Sequence, residues 1–401
     1  MKKLLWVGDA GCPSGFARAT HGILDTLRDH YEVTVLGINY RGDPHEYPYP
    51  IYCASVGDAN QMSYGHQFGV DRLPWMCYFT KPDVIVFQND GWNIPHYIQR
   101  LARFPQWSGI PVVAAVAVDG KNFQGSWLDG VSMAVFWTQF ALDEARAGGY
   151  AGPATVIPLG VDRLEYYPVD QKAARLKHLK GYLTDAFIVG SVNRNQPRKR
   201  WDLLIKYFAE WIKSQNIKDA HLYLHTAPTG DMGVDVEQLT GYYGVKDRTI
   251  LVEPPIWYGA SDEQLLRTYN CFDIYASTTQ GEGFGLPALE AMACGIPCVL
   301  PDWAALGEWA KRGSWLVPCT ATAIGPPYVN VLGGVVDETK FIQALHALYA
   351  NKDARKNNAQ AALECASQEQ FTWENIGERW VETLETTLDV DVKDETTEVS
   401  A

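Results

Sequence analysis

Two runs in this 401-residue chain hold residue types that bind an anionic, hydroxyl-rich ligand. The first is Glu282-Gly283-Phe284-Gly285-Leu286-Pro287-Ala288-Leu289-Glu290, which continues as Ala291-Met292-Ala293-Cys294-Gly295-Ile296-Pro297. Pro287 suits the first position of a helix and Gly295 the residue just past its end, so a short helix is entered through a loop with two glycines. Those glycines let backbone approach a ligand closely, and the N–H groups of a first helical turn lack intrahelical partners. Phosphate and hydroxyl oxygens are natural acceptors for such donors. Glu282 in the loop and Glu290, placed by this reading in the first turn, add two carboxylates that accept hydrogen bonds from hydroxyls. A glycine-entered helix with a dipole-compensating glutamate is the structural alternative, and it does not account for the complete run.

The second run is Asn193-Arg194-Asn195-Gln196-Pro197-Arg198-Lys199-Arg200, directly after the apolar stretch Phe187–Val192. Four of these residues are cations, in a chain whose net charge is −13. Arginine binds phosphate bidentately and lysine adds a compact point charge. Charge-assisted bonds of this kind are each worth about 1.5–3 kcal/mol net, and two stabilise a departing diphosphate without a metal ion. Arg198 and Arg200 have a structural role as their alternative reading.

These residues need a frame. At 401 residues with 47% hydrophobic and 20% charged side chains, the chain has the length of two globular domains. No apolar stretch reaches the roughly 18 residues of a membrane span, and the apolar start Leu4–Val7 turns polar too early for a signal peptide. A cytoplasmic protein is the expectation. The net charge of −13 argues against gripping nucleic acid with the whole surface, although it leaves room for a local basic cleft. The eight cysteines form no C-x-x-C pair and read as small buried thiols.

Short buried-strand runs alternate with helical runs, the pattern of a parallel sheet covered on both faces. In the first half the strands are Leu4–Val7, Val33–Leu36, Val84–Phe87, Val112–Val118, Met133–Trp137 and Val156–Leu159. Ligands bind such sheets at the strands' carboxyl ends, which directs attention to Gly8–Gly15, Gln88–Asn93 and Asp119–Asn122. The alternation restarts with Phe187–Val192, His221–His225, Ile250–Val252, Ile274–Ala276 and Val299–Leu300. The expected layout is α/β, two Rossmann-like doubly wound domains facing a central cleft: residues 1–164, then 165–370. Residues 371–388 form a helix crossing back to the first domain, with Thr372 as N-cap and Trp373, Ile376, Trp380 and Leu384 as its apolar stripe. Residues 389–401 are read as a flexible acidic tail, so the D-x-D at Asp389-Val390-Asp391 is solvated charge rather than a metal site.

The 282–297 run resembles the E-x7-E segment of retaining GT-B glycosyltransferases of the family 4 type, and Asp302–Glu308 fits the loop and acidic residue that follow it. The resemblance covers about 165–385 and, more weakly, the N-terminal half. It implies that Glu282 and the amides of Gly283, Phe284 and Gly285 hold the transferred sugar, with Leu286 also a donor contact, and that Glu290 holds the ribose. Arg194 and Lys199 match the Arg and Lys the family places on the diphosphate, with Arg198 as a further donor contact. The loop Gly8–Phe16 lacks the G-x-G-x-x-G spacing of nicotinamide binders. By resemblance it closes over the diphosphate through Ser14 and Gly15, and a plain strand-to-helix turn is its alternative. Many relatives carry a histidine where this chain has Val118-Asp119, so Asp119 is a catalytic candidate that contacts a sugar hydroxyl or orients the acceptor. His221 and His225 read as structural histidines in a strand, and Trp257-Tyr258 either as a stacking surface for the nucleobase or as exposed aromatic packing. The implied chemistry is metal-independent transfer from a nucleotide sugar, a UDP-sugar, with retention.

Gly8–Thr20, Gln88–Asn93 and the 193–200 run look like those of glycosyltransferases of tailed bacteriophages. That points to a hydroxymethylated pyrimidine in phage DNA as acceptor, with Trp75, Trp92 and Trp127 suited to a flipped base. The alternatives are a lipid-linked or cell-surface saccharide, and a non-catalytic nucleotide-sugar-binding protein.

Overall fold

The computed structural model of the chain describes residues 1–11, 14–55, 67–179, 183–252, 259–326 and 329–398. Its contacts divide into two compact units. The first holds Met1–Val118, Asn122–Gly160 and the chain from Thr372 onward; the second holds Asp119–Lys121 and Val161–Phe371.

The first unit is built on strands β1 (Lys2–Asp9), β2 (Tyr31–Ile38), β3 (Ile51–Cys53), β4 (Val84–Asp90), β5 (Val112–Ala117), β6 (Met133–Phe136) and β7 (Ala154–Val156). All pair in parallel, in the order β3-β2-β1-β4-β5-β6-β7. The Val-, Ile- and Ala-rich central strands β4 and β5 are buried on both faces, as a helix-covered parallel sheet requires. The second unit uses β8 (Phe187–Val192), β9 (Ala220–His225), β10 (Thr249–Val252), β11 (Ile274–Ala276), β12 (Cys298–Asp302), β13 (Ser314–Gly325) and β14 (Val331–Val336). Their order is β10-β9-β8-β11-β12-β13-β14, parallel except for the antiparallel pair β13–β14. Each unit has its own apolar core, one around Leu5, Phe87 and Ala114, the other around Leu222, Phe208 and Phe341.

The expected strands are present, with three differences. Val156–Leu159 is replaced by Ala154–Val156; Ile157 still donates to Phe136 O, and the chain then leaves the sheet. The three-residue β3 and the hairpin β13–β14 were not foreseen, because β3 is short and β13 is largely exposed, without a buried-strand pattern. The first boundary falls at Gly160 rather than 164, since Val161 already hydrogen-bonds Phe371 within the second unit.

The last helix behaves as its stripe implies. Thr372 Oγ1 accepts from Asn375 N at 3.3 Å, and Ile376, Trp380 and Leu384 are buried. Trp380 packs on Trp6, with ring centroids 5.3 Å apart, inside the first unit. The helix does not stop at Leu388 but continues to Glu398, so the backbone of the acidic segment is helical. No glycine or proline interrupts residues 389–398, and extending an existing helix is far easier than nucleating one. The seven described cysteines are all free.

Candidate functional site

The site is assembled within the second unit, at the carboxyl ends of β8 and β11. After β8 the chain enters a short 3-10 turn, Pro197–Lys199, which Arg200 closes in the left-handed conformation at φ 52°. The turn is sewn to the segment beyond β11: Gln280 N donates to Arg198 O at 2.7 Å and Thr278 Oγ1 to Arg200 O at 2.8 Å. This seam brings the cations onto Glu282. Lys199 Nζ lies 2.6 and 2.7 Å from the two Glu282 carboxylate oxygens, and Arg198 Nη1 lies 2.8 Å from Oε2. Arg198 also donates to Gly281 O at 2.9 Å, and its Nε pairs with Asp119 Oδ2 at 3.1 Å. Asp119 accepts the Gly283 N–H as well.

The segment carrying Asp119 is locked in place. Lys121 and Leu332 exchange backbone hydrogen bonds at 3.0 Å in both directions, and the Lys121 ammonium lies 5.3 Å from the Trp303 ring centre. A Cβ on Gly281 would sit 1.7 Å from Asp119 O, so the two backbones touch only because residue 281 has no side chain.

Burial alone would raise the Glu282 carboxyl, but Lys199 and Arg198 overcome this and hold it at about 2. Lys199 moves the other way. Burial and the neighbouring Arg198 lower its ammonium to about 8 against the pull of Glu282. Burial pushes Asp119 up, with Arg198 opposing and Glu282 assisting.

The helix after the loop spans Leu286–Ala293, and Gly285 caps it at φ 97°. A glycine is required there: an L side chain is strained at that φ by about 1–2 kcal/mol, and its Cβ would lie 2.7 Å from Leu306 Cδ2. Gly285→Ala is expected to lower unfolding free energy by about 1–2 kcal/mol in urea titration; an unchanged midpoint would show that the loop relaxes freely. A small hollow lies beside this helix entrance, lined by Asn193, Tyr275, Ser277, Glu282, Gly285 and Leu306 among others.

Several expected residues sit elsewhere than their spacing implied. Glu290 is the fifth residue of the helix, not in its first turn, because the helix begins at Leu286, one residue before Pro287. It is buried and accepts from Tyr269 Oη at 2.6 Å. Phe284 is core: its ring stacks on Trp309 at 5.3 Å and its carbonyl accepts the Trp309 indole N–H at 2.7 Å. Leu286 is likewise buried. Arg194 is not in the Glu282 cluster; half exposed, it pairs with Asp231 at 2.8 Å. The cation beside Lys199 is Arg198, because the 3-10 turn carries 198 and 199 to Glu282 together. Arg200 is held by Asp202 at 2.8 Å. The 282–290 loop and two cations of the 193–200 run, Arg198 and Lys199, therefore meet inside the second unit.

In the first unit, Ser14 caps the helix Gly15–Leu27, accepting from Ala17 N at 3.1 Å and donating to Asp9 at 2.6 Å. Gln88 is used internally, bonding Trp6 Nε1, Thr20 and Phe16 O. Trp92 meets Trp127 edge to face at 6.1 Å, and Trp75 stacks on Phe79 at 5.3 Å. Trp257 and Tyr258 lie outside the described residues, as do Cys12 and Pro13 of the first loop.

Tyr275 and Ser277 were missed, although they stand near the carboxyl end of β11, where ligands of such sheets gather. His225, read above as structural, ends β9, and Thr226, which was missed, follows it: His225 Nδ1 and the Thr226 hydroxyl are buried without hydrogen-bond partners among the described residues. Burial lowers His225 to about 4, so its ring is neutral at pH 7. Among the described residues no group of three or more His, Cys, Asp or Glu is arranged to hold a metal ion, and no helix is long and apolar enough to cross a membrane.

Comparison with known proteins adds a family and a fold. The profile described as "Family 4 Glycosyltransferase in conflict systems" matches residues 152–379. The chain is 34% identical over 263 residues to D-inositol 3-phosphate glycosyltransferase of Geodermatophilus obscurus, covering 62% of this chain and 55% of that protein. It is 29% identical over 231 residues to the protein of the same name from Stackebrandtia nassauensis, covering 56% and 46%. The chain thus spans about half the length of the curated relatives it matches. Among solved structures it is similar to sucrose-phosphate synthase of Thermosynechococcus elongatus, with a TM-score of 0.77 at 18% identity over 97% of this chain and 100% of that one. Anabaena HepE in complex with UDP-glucose gives 0.71 at 18%, over 96% and 100%. At such identities these likenesses speak for the fold, two Rossmann-like α/β units of the GT-B class.

Proposed function

The chain belongs to the family 4 glycosyltransferases of conflict systems, and from that premise we propose that it moves a sugar from a nucleotide diphosphate sugar to a hydroxyl acceptor. The observation that carries this reading is the ionised Glu282, gripped by Lys199 and Arg198 at the entrance of the Leu286–Ala293 helix beside a small hollow. A UDP-sugar is the proposed donor, supported by the UDP-glucose complex of the similar Anabaena protein.

In this reading Glu282 and the loop amides accept and donate to the sugar hydroxyls, while Lys199, joined by Arg194 once it leaves Asp231, stabilises the diphosphate as the glycosidic bond breaks. The acceptor oxygen bonds to the anomeric carbon on the face the diphosphate leaves. Its proton passes to the departing phosphate oxygen, and configuration is retained. Glu290 receives the ribose hydroxyls. Glu290→Ala is accordingly expected to weaken donor binding by about 10-fold or more with a smaller change in kcat, read by calorimetry and steady-state kinetics. An unchanged donor Kd would remove Glu290 from the site.

The DNA reading of the acceptor drew on the 193–200 run, and Arg198 and Arg200 of that run are held by carboxylates of the same unit. They lend DNA no support, and the proposal stays at a hydroxyl acceptor. The direct test incubates the protein with labelled nucleotide sugars and three acceptors: an inositol phosphate, a saccharide, and DNA carrying a hydroxymethylated pyrimidine. Product formation, or release of UDP into water, supports transfer. Tight donor binding without either would mark a non-catalytic binder and overturn the enzyme reading.

A further inference from the structure

Four charged side chains meet at this site, and they cancel. Lys199 and Arg198 bring two positive charges, Glu282 and Asp119 two negative ones. The two carboxylates are not held alike. Glu282 takes three close contacts from the cations, between 2.6 and 2.8 Å. Asp119 takes one ion contact, at 3.1 Å from Arg198 Nε, together with the Gly283 N–H. Glu282 and Lys199 side chains are each 8% exposed, whereas Asp119 and Arg198 are 23% and 34% exposed. The Asp119–Arg198 contact is therefore the weaker and more open link in the cluster.

A diphosphate entering this neutral cluster brings extra negative charge and seeks the same partners that Asp119 uses, a guanidinium and a backbone N–H at the loop. Two anions cannot share them in a partly buried site without strong repulsion. The backbone of 119–121, pinned by Leu332 and by its contact with Gly281, prevents Asp119 from swinging far away. Loss of charge relieves that repulsion while the carboxyl stays beside the site.

We propose that Asp119 is a built-in stand-in for donor phosphate, which neutralises Arg198 in the empty site and yields it to the diphosphate while taking up one proton from solvent. This rests on the donor reading above. The step balances: an ion pair between carboxylate and guanidinium is exchanged for one between phosphate and guanidinium, and the carboxylate becomes a carboxylic acid. The charged groups facing Asp119 are Arg198 and Lys199 from the 3-10 turn and Glu282 from the loop, beside the Gly283 N–H. Burial already biases Asp119 toward its neutral form, which lowers the cost of the exchange.

The test is calorimetry of UDP-glucose binding at pH 6.5 in buffers of different ionisation enthalpy. UDP-glucose is used because neither of its phosphates titrates there. Lys199, held near 8, is almost fully protonated at that pH and contributes little. The intact protein is expected to take up between about one half and one proton on binding. D119N is expected to bind at least about fivefold more tightly with that uptake abolished. Tight binding to the intact protein with no proton uptake overturns the exchange, whatever the variant does. So does a folded D119N that binds no more tightly and still takes up the proton. No binding of UDP-glucose to the intact protein at all removes the donor reading itself, which separates the two failures.

Discussion

Replacing Glu282 with glutamine is expected to cut turnover by about 100-fold or more while the chain still folds. Glutamine keeps the shape but removes the charge that Lys199 and Arg198 hold ionised at about 2. Two consequences follow. The sugar loses an acceptor-only partner whose geometry is set by three contacts, and Lys199 is left buried with a neutral neighbour, which lowers its ammonium further. The measurement is kcat for transfer, or for donor hydrolysis, beside a denaturant titration showing one cooperative transition. Turnover near that of the parent would take Glu282 out of the mechanism. The same ionisation makes an acid-stability statement. Because the folded-state value is lowered from 4.5 to about 2, the contribution of Glu282 is present above 4.5 and is lost as pH falls through 2.

Lys199→Met is expected to weaken donor binding by about 10- to 150-fold, the worth of one charge-assisted bond of about 1.5–3 kcal/mol. Methionine fills a similar volume without the ammonium, so packing is largely kept. The lowered ammonium gives this residue a pH signature too. Between about 8 and 10.5 the unfolded chain keeps the proton that the folded chain gives up, so this group makes the protein more stable as pH rises through that window. Donor affinity moves in the opposite direction there, because the charge that meets phosphate is disappearing. A donor Kd that is flat from pH 7 to 10, or equally pH-dependent in Lys199→Met, would rule out Lys199 as the phosphate contact.

The parallel-sheet strands of both units were legible in the sequence because buried strands write themselves as short apolar runs, as in Val84–Phe87 and Phe187–Val192. The Leu286–Ala293 helix and its glycine entry were legible for a comparable reason, since proline and glycine have local steric meanings. So was the stripe Ile376, Trp380 and Leu384, whose burial follows from helical spacing alone.

Which cation meets which carboxylate was decided only by the folded chain. Residues 194, 198, 199 and 200 are equivalent as charges in a line of text, yet one 3-10 turn sends Arg198 and Lys199 to Glu282 and leaves Arg194 to Asp231 and Arg200 to Asp202. Asp119 lies 79 positions before Arg198 in the chain. It reaches that guanidinium because glycine at 281 lets two backbones touch and Leu332 holds the segment in place. Local pattern specifies the elements, since each residue's conformational preferences act within a few neighbours; the pairing of charges depends on the closing of the chain over long separations, and that is settled by packing.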